Sequence, residues 1–133
     1  MTTILHLNSS GLLTWNCPIG EDIMNVTVVV GESRLEEITQ SVKNLLKVGR
    51  YDIIASTSET DMEKIFHDSN SHEDYWGDIV SQQEGWVVFG NKHHRSTSVG
   101  DMMIQDGKVY IVASFGFLEL PKLAVIADIL SIH

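Results

Sequence analysis

The sequence predicts an α+β domain: a mixed β-sheet of about five or six strands, with two or three helices packed mainly on one face. Three observations carry this. Short runs of β-branched and aromatic residues recur between turn signals. An amphipathic helical pattern of about four turns stands between two such runs. Near the C-terminal end, Asp106-Gly107 separates two apolar segments, the signal of a two-residue hairpin whose central positions both need positive φ.

Taken in order, residues 2–7 read as a strand and Asn8–Gly11 as a turn, with Leu12–Trp15 a candidate return strand ended by Cys17-Pro18-Ile19-Gly20. Met24–Val30 reads as a central strand. Ser33 and Glu36 form a capping box. Leu35, Ile38, Val42, Leu45 and Leu46 follow at helical spacing, and Gly49 terminates the helix. Tyr51–Ser56 is the next strand, so strand, helix and strand predict a parallel βαβ unit. Thr60 with Glu63 forms a second capping box, opening a short helix with Met62, Ile65 and Phe66 on its apolar edge. Residues 70–85 read as a long loop with one turn near Tyr75-Trp76, and Trp86–Phe89 as a strand. In the hairpin, Val109, Ile111 and Ala113 alternate with Tyr110 and Val112, so this strand is covered on both faces. Gly116 between Phe115 and Phe117 marks a bulge or a close backbone approach. From Pro121, a C-terminal helix carries Leu123, Ile126, Ala127 and Leu130 on one stripe and Val125, Ile129 and Ile132 on others. So much apolar surface predicts a homodimer through this helix.

A length of 133 residues fits a single domain, 1–133. The net charge of −9 disfavours direct nucleic-acid binding and attachment to an anionic membrane, and suits a basic protein partner. A single cysteine, Cys17, fits a reducing compartment, and no apolar run reaches transmembrane length. The N-terminus lacks a signal-peptide pattern. The expected location is the cytoplasm.

Three constellations bear on function. His67, His72, His93 and His94 lie near Asp68, Glu73, Asp74 and Asp78, but no fixed metal-binding spacing joins them, so they read as surface histidines and no metal or other cofactor is expected. Between Glu59 and Asp78 stand seven acids, Glu59, Asp61, Glu63, Asp68, Glu73, Asp74 and Asp78, against one base, Lys64. They read as a solvated face, or as a surface that docks a basic groove with Tyr75 and Trp76 as aromatic anchors. Arg95, Ser96, Thr97, Ser98, Gly100 and Asp101 form a polar turn. Its donors could cradle an anion such as a nucleotide phosphate, or the turn could hold itself together and position the hairpin. No catalytic set is assembled, Cys17 included, so the chain reads as a binding protein rather than an enzyme.

Arg95-Ser-Thr-Ser-Val-Gly-Asp101, the aromatic strand after it and Gly116-Phe117, with Met62–Phe66, Asn70 and Trp76 upstream, resemble a motif of small bacteriophage and mobile-element proteins that includes YodL-like domains. The resemblance covers about residues 51–120. It implies an accessory protein of a phage or mobile element that inhibits or modulates a host or defence protein in the bacterial cytoplasm. It does not supply the histidines as metal ligands, and it implies no chemistry.

Overall fold

The computed structural model describes residues 1–8, 32–47, 49, 51–70, 75–98, 100–113 and 116–123. Six strands form one sheet: β1 (Thr2–Leu7), β2 (Tyr51–Thr57), β3 (Trp86–Val88), β4 (Met102–Gln105), β5 (Lys108–Val112) and β6 (Phe117–Glu119). Their spatial order is β3-β2-β1-β4-β5-β6, and every pairing is antiparallel. Three helices accompany them: α1 (Glu32–Lys47), α2 (Met62–Asp68) and α3 (Trp76–Val80), and a 3-10 turn spans Pro121–Leu123.

The α+β class and the strand number follow the sequence reading. The pairing is antiparallel where a mixed sheet was expected. The parallel partner in that expectation was Met24–Val30, which lies outside the described residues, as does Leu12–Trp15. The C-terminal helix beyond Leu123, with its proposed dimer surface, lies outside them too. No helix among the described residues is long and apolar enough to cross a membrane.

β1 is the centre of the sheet, paired with β2 on one side and β4 on the other. Successive strand residues point to opposite faces, so Ile4 and Leu5 enter two different cores. On one face, Ile38 and Val42 of α1 pack with Leu5, Leu7, Met102, Ile104, Val109 and Ile111. On the other, Ile65 of α2 and Trp76 and Val80 of α3 pack with Ile4, Ile54, Ala55, Trp86 and Met103. Two helices thus share one face, and the longest covers the other. Burying one such side chain contributes roughly 1.5–3 kcal/mol, so β1 and β4, buried on both faces, anchor the molecule.

The β4–β5 hairpin turns at Asp106 and Gly107, with φ of 52° and 73°. Both values are positive, as the Asp-Gly signal requires. The cap of α2 differs from the expected Thr60–Glu63 box. Asp61 is the N-cap, its Oδ1 accepting from the backbone N–H groups of Glu63 at 3.1 Å and Lys64 at 3.4 Å. A carboxylate next to the first turn satisfies two free donors and meets the positive helix end. Within the stretch read as a long loop, residues 76–80 form α3.

Candidate functional site

The polar turn before β4 sits over the ends of β1 and β5, and its centre is Asp101. The side chain of Asp101 is almost wholly buried, at 1% exposure. Its Oδ1 accepts from the Leu7 backbone N–H at 2.9 Å and from Arg95 Nη2 at 2.7 Å. Its Oδ2 accepts from Arg95 Nη1 at 2.7 Å and from the Ser98 backbone N–H at 2.7 Å. A fork-to-fork Arg–carboxylate pair of this length is a strong, directional contact. The cradle anticipated for an anion is therefore built, and the anion it holds is the carboxylate of Asp101. The same guanidinium also donates to the carbonyls of Leu7 and Ser96. Three further backbone donors of the turn are engaged as well. The Thr97 N–H donates to Ser69 O, the Gly100 N–H to Val112 O and the Asp101 N–H to Ser98 O. At these groups an external phosphate would meet donors already in use.

The turn is also stapled to α3 and to the segment that follows α2. Asn70 Nδ2 donates to Thr97 O at 2.9 Å, and the Trp76 indole N–H donates to Arg95 O at 2.8 Å. Tyr51 donates its hydroxyl proton to Gly100 O at 2.7 Å. Burial, with Asp101 nearby, raises the pKa of that hydroxyl well above the usual tyrosine range, so it stays a donor. Thus Asn70, Trp76, Arg95 and Asp101, separated along the chain, converge in one network.

His6 was not singled out by the sequence, and it closes the network. Its Nε2 lies 2.8 Å from the Thr97 hydroxyl and 3.8 Å from Asp101 Oδ2. Desolvation outweighs the attraction of Asp101 and lowers the imidazole pKa to about 4, so His6 is neutral at physiological pH. Its ring lies 6.1 Å from that of Trp76 and 6.3 Å from that of His94. Only the alternation of β1 hinted at it: His6 points to the same face as Ile4.

Beside this network lies an open cleft of about 560 Å³, lined by residues of β1, β2 and the segment after β3, among them His6, Asp52, Phe89, His94 and Arg95. The His94 Nε2–H donates to the Phe89 carbonyl at 2.9 Å, which fixes the ring at the cleft wall.

The acidic stretch is dispersed rather than pooled. Asp61 caps α2, Asp68 pairs with Lys64 at 3.2 Å, and Asp78 Oδ2 lies 3.0 Å from His93 Nε2. The Asp68 hydrogen bond raises the Lys64 pKa. Glu59 is partly buried and Glu63 exposed, while Glu73 and Asp74 lie outside the described residues. Of the two expected aromatic anchors, Trp76 is a core residue at 1% exposure, because its indole fills the space between α3 and the sheet and reaches the Arg95 carbonyl. Tyr75 is the exposed one, stacked flat on His93 at 3.8 Å. Among the described residues no group of three or more His, Cys, Asp or Glu side chains is placed to hold a metal ion. His72 and Cys17 lie outside them.

No protein-family profile, no curated protein and no solved structure matches the chain.

Proposed function

We propose that the protein acts by binding another protein, through the exposed side chains of α3 and of the edge strand β3 with the residue after it, and without catalysis. One observation carries this reading. Apart from the terminal Met1, the large apolar side chains exposed among the described residues are Tyr75, Ile79, Val87 and Phe89, all within one stretch of chain. Exposed aromatic and aliphatic side chains concentrated in one stretch of chain point to it as the segment that meets a partner. β3 is moreover the last strand of the sheet in the described fold, and a sheet edge offers backbone groups to a partner.

The net charge of −9, to which Glu59, Asp61, Glu63, Asp68 and Asp78 contribute, selects a partner with a basic surface. With the resemblance to small phage and mobile-element proteins, the partner is a host or defence protein in the bacterial cytoplasm, which the chain inhibits or modulates. Self-association through the C-terminal helix, as a homodimer, belongs to the same proposal and is read by light scattering. The rival reading, a binder of nucleotide or another anionic small molecule at Arg95–Asp101, finds no support in the geometry, because Asp101 already occupies the cradle.

The test is affinity capture from bacterial lysate by the wild type and by a Tyr75→Ala/Ile79→Asp variant, quantified by mass spectrometry. A protein with a basic surface is expected to be retained by the wild type, released by added salt and lost with the variant. Capture profiles that are identical for the two proteins would overturn the reading.

A further inference from the structure

The cleft beside the Asp101 network brings a carboxylate and an aromatic ring into one lining. Asp52 lies exposed at its wall and has no cationic partner among the described residues; its Oδ1 receives only a long contact, 3.4 Å, from Asn8 Nδ2. Phe89, 43% exposed, offers an aromatic surface on the same lining. Arg95 also reaches the cleft, but its charge is matched by the two oxygens of Asp101 at 2.7 Å. His6, its imidazole pKa lowered by burial, is neutral at physiological pH. Of the carboxylate and guanidinium charges lining the cleft, the one left unmatched is therefore the negative charge of Asp52.

A carboxylate and an aromatic ring lining one concave, partly apolar site supply the chemistry that receives a planar cation. The cation stacks on the ring and donates through its edge to the oxygens. A guanidinium suits this better than an ammonium, because it is flat, weakly hydrated and carries its donors as a fork. We propose that the cleft lined by Asp52 and Phe89 receives an arginine side chain of the partner protein. This deepens the protein-binding reading and rests on it for the source of the arginine. Phe89 connects the two, since it belongs both to the exposed stretch that marks the docking surface and to the cleft wall.

The experiment titrates the isotope-labelled protein with Nα-acetyl-arginine amide, followed by backbone amide resonances. Nα-acetyl-citrulline amide, the uncharged near-isostere, and inorganic phosphate serve as comparisons. Titration to about 20 mM half-fills even a site with a Kd of ~20 mM. Saturable shifts at Leu7, Asn8, Asp52, Phe89 and Gly90 are expected with the arginine compound and not with the other two. Asp52→Asn should weaken binding at least about tenfold, through loss of the charged fork, and Phe89→Ala about threefold or more, through loss of the stacked ring. Both positions are exposed, and unchanged melting temperatures show that the variants remain folded. Absence of saturable shifts, equal binding of citrulline amide, or preferential binding of phosphate would each overturn the proposal.

The outcomes also separate it from the docking reading. If arginine amide fails to bind while capture still depends on Tyr75 and Ile79, the cleft proposal falls and the docking surface stands. If arginine amide binds but capture ignores those residues, the docking reading falls. The proposal of a partner's side chain then falls with it, leaving a site for free guanidinium compounds.

Discussion

Residues 75–89 and 95–101 are near neighbours in the chain and treat their side chains in opposite ways. In the second segment polar groups turn inward: Asp101 and Thr97 are buried, and Arg95 closes over them. In the first, part of the apolar set turns outward: Trp76, Val80 and Trp86 stay in the core, while Tyr75, Ile79 and Val87 each expose close to half or more of their surface. A buried polar group is tolerated only when bonded, and here Asp101 accepts from Leu7, Ser98 and both ends of the Arg95 fork. An exposed apolar group has no such internal account. The contrast separates what the molecule uses to hold its shape from what it presents outward.

The largest effect should come from the buried side of this contrast. Asp101→Ala would strand the Arg95 guanidinium and the backbone N–H groups of Leu7 and Ser98. Breaking a buried ion pair by removing one partner costs about 3–5 kcal/mol, a large share of the stability of a domain this size. Urea unfolding is expected to show a midpoint shift of that order. A shift below about 1 kcal/mol, the scale of an exposed pair, would mean that the network is incidental, and the comparison would fail at its stronger term.

Acid should act on the same region through His6. In the unfolded chain the imidazole takes up its proton near pH 6.5, and in the folded chain only near pH 4. Between these values the unfolded state binds more protons, so stability rises with pH there. The contribution is complete above about pH 6.5 and is lost as the pH falls through 4. The shift corresponds to about 3 kcal/mol as an order of magnitude. Carboxylates titrate in the same window, so the measurement compares the wild type with His6→Gln. The difference in unfolding free energy between the two proteins should shrink as the pH is lowered from 7 to 4. A difference that stays constant across that range refutes a buried neutral His6.

How much of this was legible in the sequence depended on distance along the chain. The hairpin was, because Asp106 and Gly107 carry its geometry by themselves. The spans of β1 and β2 were, because apolar periodicity is local; α1 already begins at Glu32, so Ser33, expected as its cap with Glu36, lies inside the helix. The strand order was not, because nothing near residues 2–7 says that they will lie between β2 and β4. The turn at 95–101 was recognised as an anion cradle or as self-satisfied. Its decisive partners, Leu7 and His6, lie about ninety residues away. Trp76 read as an interface aromatic, because composition does not distinguish an indole that faces solvent from one that reaches a buried carbonyl. The cap of α2 was displaced by one residue for a simpler reason: Asp61 competes with Thr60, and a carboxylate accepts from two N–H groups at once.

The two regions meet at Gly77. A Cβ added there would collide with the backbone carbonyl of Lys92, so only glycine lets α3 lie against the segment that leads to the polar turn. Gly77→Ala should cost about 1–3 kcal/mol, the range of overpacked sites, and should push α3 away from residues 90–95. Because the Trp76 indole bonds the Arg95 carbonyl across the same seam, the tryptophan emission of the variant should shift. An unfolding curve and spectrum identical to the wild type would show that the seam does not couple the two regions.

The smallest effect on stability, and the sharpest division between the two regions, is expected at the exposed surface. Ile79 is 44% exposed and Tyr75 54% exposed. Substitutions at such positions usually stay within about ±0.5 kcal/mol when no buried group depends on them. Tyr75 has one visible role, its stack on His93. Stacked pairs contribute about 0.5–1.5 kcal/mol where they are well packed, and exposure places this one at the lower end. Ile79→Asp also sets a carboxylate next to Asp78, but that residue faces His93 at 3.0 Å and the site is open to screening. The Tyr75→Ala/Ile79→Asp variant should therefore melt within a few degrees of the wild type. If it melts far lower, these side chains belong to the fold, and the outward face has been misassigned. If it melts normally, any loss of a captured partner is due to a change of surface and not of structure. A core substitution such as Asp101→Ala cannot provide that control.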